Sequence, residues 1–336
     1  MNGDTPSQIS SVLFGANLTP LLKKDGGIRP IASGSVFRRL VGKIISRRVQ
    51  VQLGEVLRPV QLGYGTKGGC EIVVHAARAF LEMGVNETKC LLKLDFKNAF
   101  NTIRRDKLLE KVKDVVPEYL PYISGTYREP TVLFCGDDTI PSNNGVQQGD
   151  PLGPMLFCLV VDELARSLKS PLNLWYLDDA TLGENPEVAL EDLTAVMEKA
   201  DDLGLELNTS KCELLITGGS EARRRQATTL FRATVPELRV MNPKDLELLG
   251  APMLSEAVSG ALEKKIGQAQ MLSGRLGLLP AHQALFILKN CLSLPKLSYI
   301  LRCAVCFKFV EKLDEFDKVI RDSLESITNV PISEDV

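Results

Sequence analysis

Apolar positions along this chain recur with two different spacings, and the spacing sets the element expected at each place. Short apolar or alternating stretches bounded by turn residues read as strands and hairpins. They are Leu18–Ile31 around Lys24-Asp25-Gly26-Gly27, Cys90–Phe96, Thr131–Ser142 with Gly136-Asp137-Asp138 at its tip, Leu172–Gly183, Leu205–Thr217 and the short Leu246–Met253. Between them the apolar residues fall three and four apart, which predicts helices over Val36–Leu57, Cys70–Leu81, Ile103–Val116, from the Asp150-Pro151 pair to Leu168, and over Pro186–Leu203. From Ser255 onward helical spacing dominates in about three helices, the last spanning Val310–Ile327. Proline and glycine punctuate this pattern at Pro59, Pro117, Gly204, Pro280 and Pro295, where a helix cannot continue or is capped. The mixture predicts an α+β fold without internal repeats.

Composition narrows the class. A chain of 336 residues buries a sizeable core and divides into two or three subdomains. No basic start followed by an apolar run marks a secretory signal at the N-terminus. No run of 18 apolar residues occurs, and Leu294–Val310 is broken by Lys296, Arg302 and Lys308, so no membrane span is expected. The eight cysteines stand singly in mostly apolar surroundings, which suits reduced thiols in a nuclear or cytoplasmic, intracellular protein. Cys303 and Cys306 have metal-ligand spacing but no second pair, and read as core residues.

A net charge of −2 argues against indiscriminate nucleic-acid binding. Between Pro20 and Val60, however, nine basic residues face only Asp25 and Glu55, a local +7. Arg38, Arg39 and Lys43 lie in this stripe, which fits a phosphate-bearing partner; solvated helix surface accounts for part of it, since Arg39, Lys43 and Arg47 repeat at helical spacing.

The chemistry centres on Tyr176-Leu177-Asp178-Asp179. Successive strand residues face opposite sides, so two adjacent carboxylates serve one site only where the chain turns. A hard divalent cation relieves their repulsion and leaves room for phosphate oxygens; the plain alternative is a solvated Asp-Asp turn. Asp95 ends an apolar strand, and Gln148-Gly149 precedes an apolar helix, with Asp150 as cap and Pro151 in its first turn. Carboxylates from non-adjacent strands are what two-metal phosphoryl transfer requires, a chemistry of positioning and charge neutralisation. Gly63-Tyr64-Gly65-Thr66-Lys67-Gly68 matches a dinucleotide fingerprint but follows a helix and Pro59, so it reads as a flexible basic loop instead.

In this order, Leu94-Asp95-Phe96-x-x-Ala99-Phe100, Gln148-Gly149-Asp150-Pro151-Leu152, Tyr176-Leu177-Asp178-Asp179 and Gly204-Leu205-x-Leu207-Asn208-x-x-Lys211 resemble the motifs of reverse transcriptases of non-LTR, LINE-like retrotransposons. Arg29-Pro30-Ile31 and Gln61-Leu62-Gly63-Tyr64 are similar to finger motifs of that family, and Leu249-Gly250 to its primer grip. The order makes Asp137-Asp138 a turn rather than the metal site, because the metal hairpin follows the Gln148-Gly149 loop; Asp201-Asp202, at a helix end, is set aside too.

The resemblance implies a right-hand polymerase: a polar segment over 1–17, fingers over 18–89, a palm with antiparallel sheet over 90–240, a primer-grip-like strand over 241–254 and a helical thumb over 255–336. It implies RNA-directed DNA synthesis with two Mg²⁺, Mn²⁺ as substitute, acting on an RNA template, a DNA or RNA primer and dNTPs. Asp95 and Asp178 would hold both metals, with Asp179 and the carbonyl of Phe96 as further ligands. Arg29, with Lys23 or Lys24, would hold the triphosphate; Gln148 and Gly149 would line the nucleotide site. Phe100 would lie under the incoming sugar, and Lys211 would protonate pyrophosphate unless it is a solvated turn lysine. An idle nucleic-acid-binding scaffold and an RNA-dependent RNA polymerase are the alternatives; the three acidic positions speak against the first, Phe100 against the second. Leu177 replaces a residue that is frequently small in the family, and should be tolerated. No endonuclease or zinc knuckle is visible, which implies a fragment, a separate module or a domesticated copy.

Overall fold

The computed structural model describes residues 5–23, 26–83 and 86–332. They form two compact units, one of residues 1–73 and 80–240, the other of 74–79 and 241–336.

The first unit opens with helix α1 (Ser7–Leu13) and the antiparallel strands β1 (Ala16–Leu22) and β2 (Ile28–Gly34). Phe14 and Ala16 are buried, so the expected polar leader of 1–17 is in part a core anchor. Lys24 and Asp25, expected in the β1–β2 turn, lie outside the described residues. Helix α2 (Val36–Leu57) starts where Ser35 Oγ accepts the Arg38 N–H. Its buried stripe passes through Arg38, Gly42, Ile45, Val49, Leu53 and Leu57, leaving Leu40 and Ile44 exposed. Helix α3 (Gly69–Glu82), whose stretch 74–79 counts with the second unit, precedes β3 (Lys89–Leu94) in the chain.

The helix expected over 103–116 is α5 (Arg105–Val115), preceded by the short α4 (Ala99–Thr102), and α6 (Leu120–Tyr127) follows. Strands β4 (Thr131–Cys135) and β5 (Asp138–Ser142) form the expected hairpin. It joins β1 and β2 in a four-stranded sheet of order β2-β1-β4-β5, with β1 and β4 parallel.

Helix α7 (Gly153–Arg166) is buried almost all round from Met155 to Val161, as a helix without a polar face must be, and packs against α2 and α5. Strands β6 (Leu172–Tyr176) and β7 (Asp179–Glu184) precede α8 (Pro186–Ala200). Gly204, left-handed at φ 77°, ends that helical run after a 3₁₀ turn over Asp201–Leu203. Strand β8 (Glu213–Thr217), helix α9 (Glu221–Thr234) and β9 (Arg239–Val240) complete the unit.

The second sheet has order β6-β7-β3-β8-β9. Its central strand β3 pairs antiparallel with both β7 and β8, and α8 packs across β3 and β7. This explains the near-continuous apolar run Cys90–Leu94, in which Cys90, Leu91 and Leu92 have no exposed surface. Of the hairpin expected over Leu205–Thr217 only β8 is a full strand, paired with β3 and β9; the other arm is reduced to a single bridge between Leu207 and Phe96.

In the second unit, β10 (Glu247–Leu248) and β11 (Ala251–Pro252) form a minimal hairpin turning at Leu249 and Gly250. Four helices follow rather than three: α10 (Ser255–Leu276), α11 (Ala281–Ile287), α12 (Leu294–Cys303) and α13 (Val310–Thr328). Helices α10, α12 and α13 share a core of Val258, Leu262, Ile266, Leu297, Ile300 and Phe316. Cys303 and Cys306 are buried and not joined in a disulfide. By length and composition Ala281–Cys303, with mean hydropathy 1.3, could cross a membrane; here it is interrupted by a π turn over Leu288–Leu292, and Leu288, Leu292, Leu297 and Ile300 point into cores.

Candidate active site

The β6–β7 register pairs Tyr176 with Asp179 and leaves Leu177 and Asp178 as a two-residue turn. Leu177 has φ 59°, the left-handed conformation that lets such a turn follow the strand twist but that a leucine adopts only under constraint. One strand over, Leu94 pairs with Ala180, so Asp95 and Asp179 end neighbouring strands at the same edge of the sheet. Beyond Asp95 the chain runs beside residues 206–208: Lys97 N–H donates to Glu206 O, and Asn208 N–H to Asp95 O at 2.8 Å.

A cavity of about 760 Å³ opens at this edge. Asp95, Phe96 and Asp178 line it, with Lys23 and Arg29 from the β1–β2 hairpin. Phe100, Gln148 and Lys211, also chosen from the sequence, line it too, and Asn208 joins them. Asp179 and Gly149 do not line it. Gly149 acts one layer back: at φ 117° it brings the loop so close to β2 that a Cβ would lie 2.6 Å from Ala32 O, while Gln148 O accepts the Ala32 N–H at 2.7 Å. The Gln148 amide donates to Asn101 Oδ1. The Phe100 ring stacks on Phe157 at 4.6 Å, and Phe96 on Trp175 at 6.0 Å.

All three carboxyls are shifted upward. Burial raises Asp95, opposed by the Asn208 side-chain hydrogen bond and by the charges of Lys211, Lys23 and Lys93. Burial also raises Asp178, with the Asp95 charge adding and Arg29 opposing. Asp179 is pushed up to about 6 by desolvation and by the charges of Asp178 and Asp95. Its surface is nevertheless open to solvent: it stands among dense protein atoms at an exposed strand end, where water tempers the repulsion.

Three partly desolvated carboxylates, with the Asp95 charge raising Asp178 and Asp179, suit a hard divalent ion. Among the described residues no three His, Cys, Asp or Glu close around a single point. Asp95 and Asp178 line the open cavity, which leaves room for an ion that keeps waters and takes substrate oxygens.

Arg38 does not belong to the basic surface where the sequence stripe put it. It is 4% exposed; its guanidinium pairs with Asp150 at 2.6 Å, and donates to Gln147 Oε1, Phe14 O and Tyr127 Oη. Burial, the largest single influence, would lower the Arg38 pKa, but the charge and hydrogen bond of Asp150 together with Tyr127 and Tyr122 outweigh it and the pKa is raised. Asp150 is likewise not a free cap: α7 begins at Gly153, and the carboxylate accepts from Arg38, from Tyr127 Oη and from Leu152 N. The loop Gly63–Gly68 is packed rather than loose: a Cβ on Gly65 would meet Gln50 O at 2.4 Å, and one on Gly63 would meet Leu177 N at 2.4 Å. Arg39 and Lys43 are exposed on α2. Asp137 and Asp138 stand at the β4–β5 turn, exposed and in the other sheet. Leu249 (φ 48°) and Gly250 (φ 78°) form the tight β10–β11 turn of the second unit.

Asn208 and Gln61 are contributors that the sequence offered no role. Asn208 was visible only as a motif letter. Gln61, fully buried, likewise appeared only as a letter of the Gln61-Leu62-Gly63-Tyr64 motif.

Three comparisons bear on this arrangement. The chain is 25% identical over 346 residues to the retrotransposable element SLACS 132 kDa protein of Trypanosoma brucei gambiense, covering 99% of this chain and 28% of that protein. It is 29% identical over 202 residues to a Pol polyprotein from the type-1 retrotransposable element R2 of Popillia japonica, covering 55% of this chain and 28% of the relative. The chain thus spans under a third of the length of these relatives. A solved structure of telomerase from Candida albicans, in complex with a fragment of telomeric RNA, shares the fold: TM-score 0.52 at 12% identity, over 96% of this chain and 60% of that one. The architecture is that of a right-hand polymerase. The family model for reverse transcriptase (RNA-dependent DNA polymerase) matches residues 21–253, the stretch that carries every lining residue of the cavity, and the chain belongs to that family.

Proposed function

We propose that this chain is the polymerase module of a non-LTR retrotransposon-type reverse transcriptase, extending a primer 3′ end with deoxynucleotides on an RNA template. The observation that carries this reading is the convergence, in one cavity, of Asp95 and Asp178 with Arg29, Lys23, Phe100 and Gln148. Acidic groups on the sheet side and basic groups from the β1–β2 hairpin give a nucleoside triphosphate both ends of its recognition.

Asp95, Asp178 and Asp179 are the residues that would hold divalent cations, with the Phe96 carbonyl beside them. The chemistry such ions supply is neutralisation of phosphate oxygens and a lowered pKa for the attacking hydroxyl. The protein does the rest by placement. Arg29 offers planar donors to the triphosphate, with Lys23 as a point charge next to it. Phe100, backed by Phe157, sets a flat apolar surface where the sugar would lie. Gln148, tied through Asn101 and Ala32, lines the base and sugar side. Lys211, at the exposed turn after Asn208, is the proton donor for departing pyrophosphate. Asn208 holds the Asp95 carboxylate in orientation. Arg39 and Lys43 would meet the nucleic-acid backbone, and the Leu249-Gly250 turn would serve as primer grip.

Primer extension by the purified chain on RNA and DNA templates tests this. Deoxynucleotide addition that depends on Mg²⁺ and is lost in Asp178→Asn is expected. A chain that binds primer–template but extends it on neither template with any divalent ion would overturn the proposal.

A further inference from the structure

The metal-side turn is gripped from behind. The Oε1 of Gln61 accepts the N–H of Leu177 at 2.9 Å, and its Nε2 donates to Leu177 O at 3.1 Å. The same Oε1 accepts the Gly63 N–H at 2.9 Å. One side chain thus holds the two peptide groups that flank Leu177, the second of which is the peptide leading into Asp178. Backbone bonds reinforce it: Leu62 N–H donates to Trp175 O and Trp175 N–H to Val60 O, each at 2.7 Å, so residues 60–62 run alongside β6 as a parallel bridge. Gly63 lets the two segments touch, since any Cβ there would collide with Leu177 N.

Leu177 needs such a grip. With φ at 59° it occupies a conformation that glycine or asparagine adopts cheaply and leucine does not. Left to itself the turn would relax toward negative φ, rotating the peptide that carries Asp178. We infer that Gln61 is a positioning residue that fixes the Leu177–Asp178 turn and with it the Asp178 carboxylate, Gly63 being the contact that makes the grip possible. The inference rests on the polymerase reading for its consequence in catalysis, but not for the grip itself.

Gln61→Met keeps length and volume and removes all three hydrogen bonds; Gly63→Ala instead pushes the gripping segment away. Each is compared with Leu193→Ala, a core truncation on α8 that lowers stability without touching the turn. Two measurements are made. Hydrogen–deuterium exchange of the segment 174–180 should rise tenfold or more in Gln61→Met and Gly63→Ala relative to Leu193→Ala. In primer extension kcat should fall by about 10²-fold, the scale set by ångström misplacement of a reacting group, while KM for primer–template stays within about twofold. Unchanged exchange at 174–180, or a kcat loss no greater than in Leu193→Ala, would overturn the inference. If the wild-type chain extends no primer, the polymerase reading falls while the exchange comparison still decides the grip.

Discussion

Replacing Arg38 by methionine separates two roles that its sequence position allows, backbone-phosphate contact and internal strut. In the structure the Arg38–Asp150 pair is 3% exposed on both sides. Removing one partner of a buried pair typically costs about 3–5 kcal/mol, because the other charge stays buried and unpaired. Asp150 keeps two further donors, Tyr127 Oη at 2.6 Å and Leu152 N at 2.9 Å. Burial pushes the Tyr127 phenol well up, with the Asp150 charge adding, so it stays neutral and able to donate. The loss should therefore lie at the low end, about 3 kcal/mol, or a fall of roughly 6–12 °C in the melting temperature of a unit this large. Thermal unfolding and the salt dependence of primer–template binding are the two assays. Stability should drop while the slope of log affinity against log salt is unchanged, because no phosphate contact is lost. Wild-type stability with a flattened slope would refute the placement of Arg38 inside the fold.

The converse holds for Arg39→Gln with Lys43→Gln, whose exposed side chains should leave melting unchanged and flatten the salt slope by about one to two units if both meet phosphates. Asp95→Asn and Asp178→Asn should each reduce extension at least about 10³-fold, several kcal/mol of lost charge stabilisation, while the paired change Asp137→Asn, Asp138→Asn leaves it nearly intact; near-normal extension by Asp178→Asn would remove the site assignment. Phe100→Val should raise the ratio of ribonucleotide to deoxynucleotide efficiency about ten- to hundredfold, whereas a parallel fall of both with lower melting would make Phe100 only the partner of Phe157. Asp179 is held up to about 6, above the ordinary 3.8, so folding favours its protonated form: in chelator-treated protein melting should rise as pH falls from 7.5 through 6, and Asp179→Asn should flatten that rise.

The strand carrying Asp95, the Asp178 turn and the loop at Gln148 were legible because each couples a sharp apolar pattern to a polar break. Helix α2 was legible to its ends, Val36 and Leu57, since Ser35 caps it and Arg58-Pro59 follow. Its facing was not. Leu40 and Ile44 look like core and are exposed, while the buried stripe runs through Arg38 in phase with Ile45 and Val49. That phase was readable, yet a charge on a buried stripe declares itself only when its partner, here Asp150, 112 residues on, is known. Helix α9 escaped notice because Ala227 and Phe231 are its only buried positions among charged and threonine residues. Gln61 was legible as a motif residue but its contacts were not, because its partners are backbone atoms, which no residue type advertises.

The central place of β3 also bears on how the chain is made. Its partners are β7 at residues 179–184 and β8 at 213–217, so both edges of an apolar strand wait through the synthesis of about a hundred residues at usual elongation rates. Pairings so distant close large loops before they return any stabilisation. Asp95 thus comes to its final address late, when the second of those partners arrives. A nascent chain halted before β8 would carry one unpaired edge of Cys90–Leu94, an invitation to pair with a neighbour. For this sheet, pairing order departs from chain order: the strand that leads to Asp95 is made before both of its partners and is enclosed only when the second arrives.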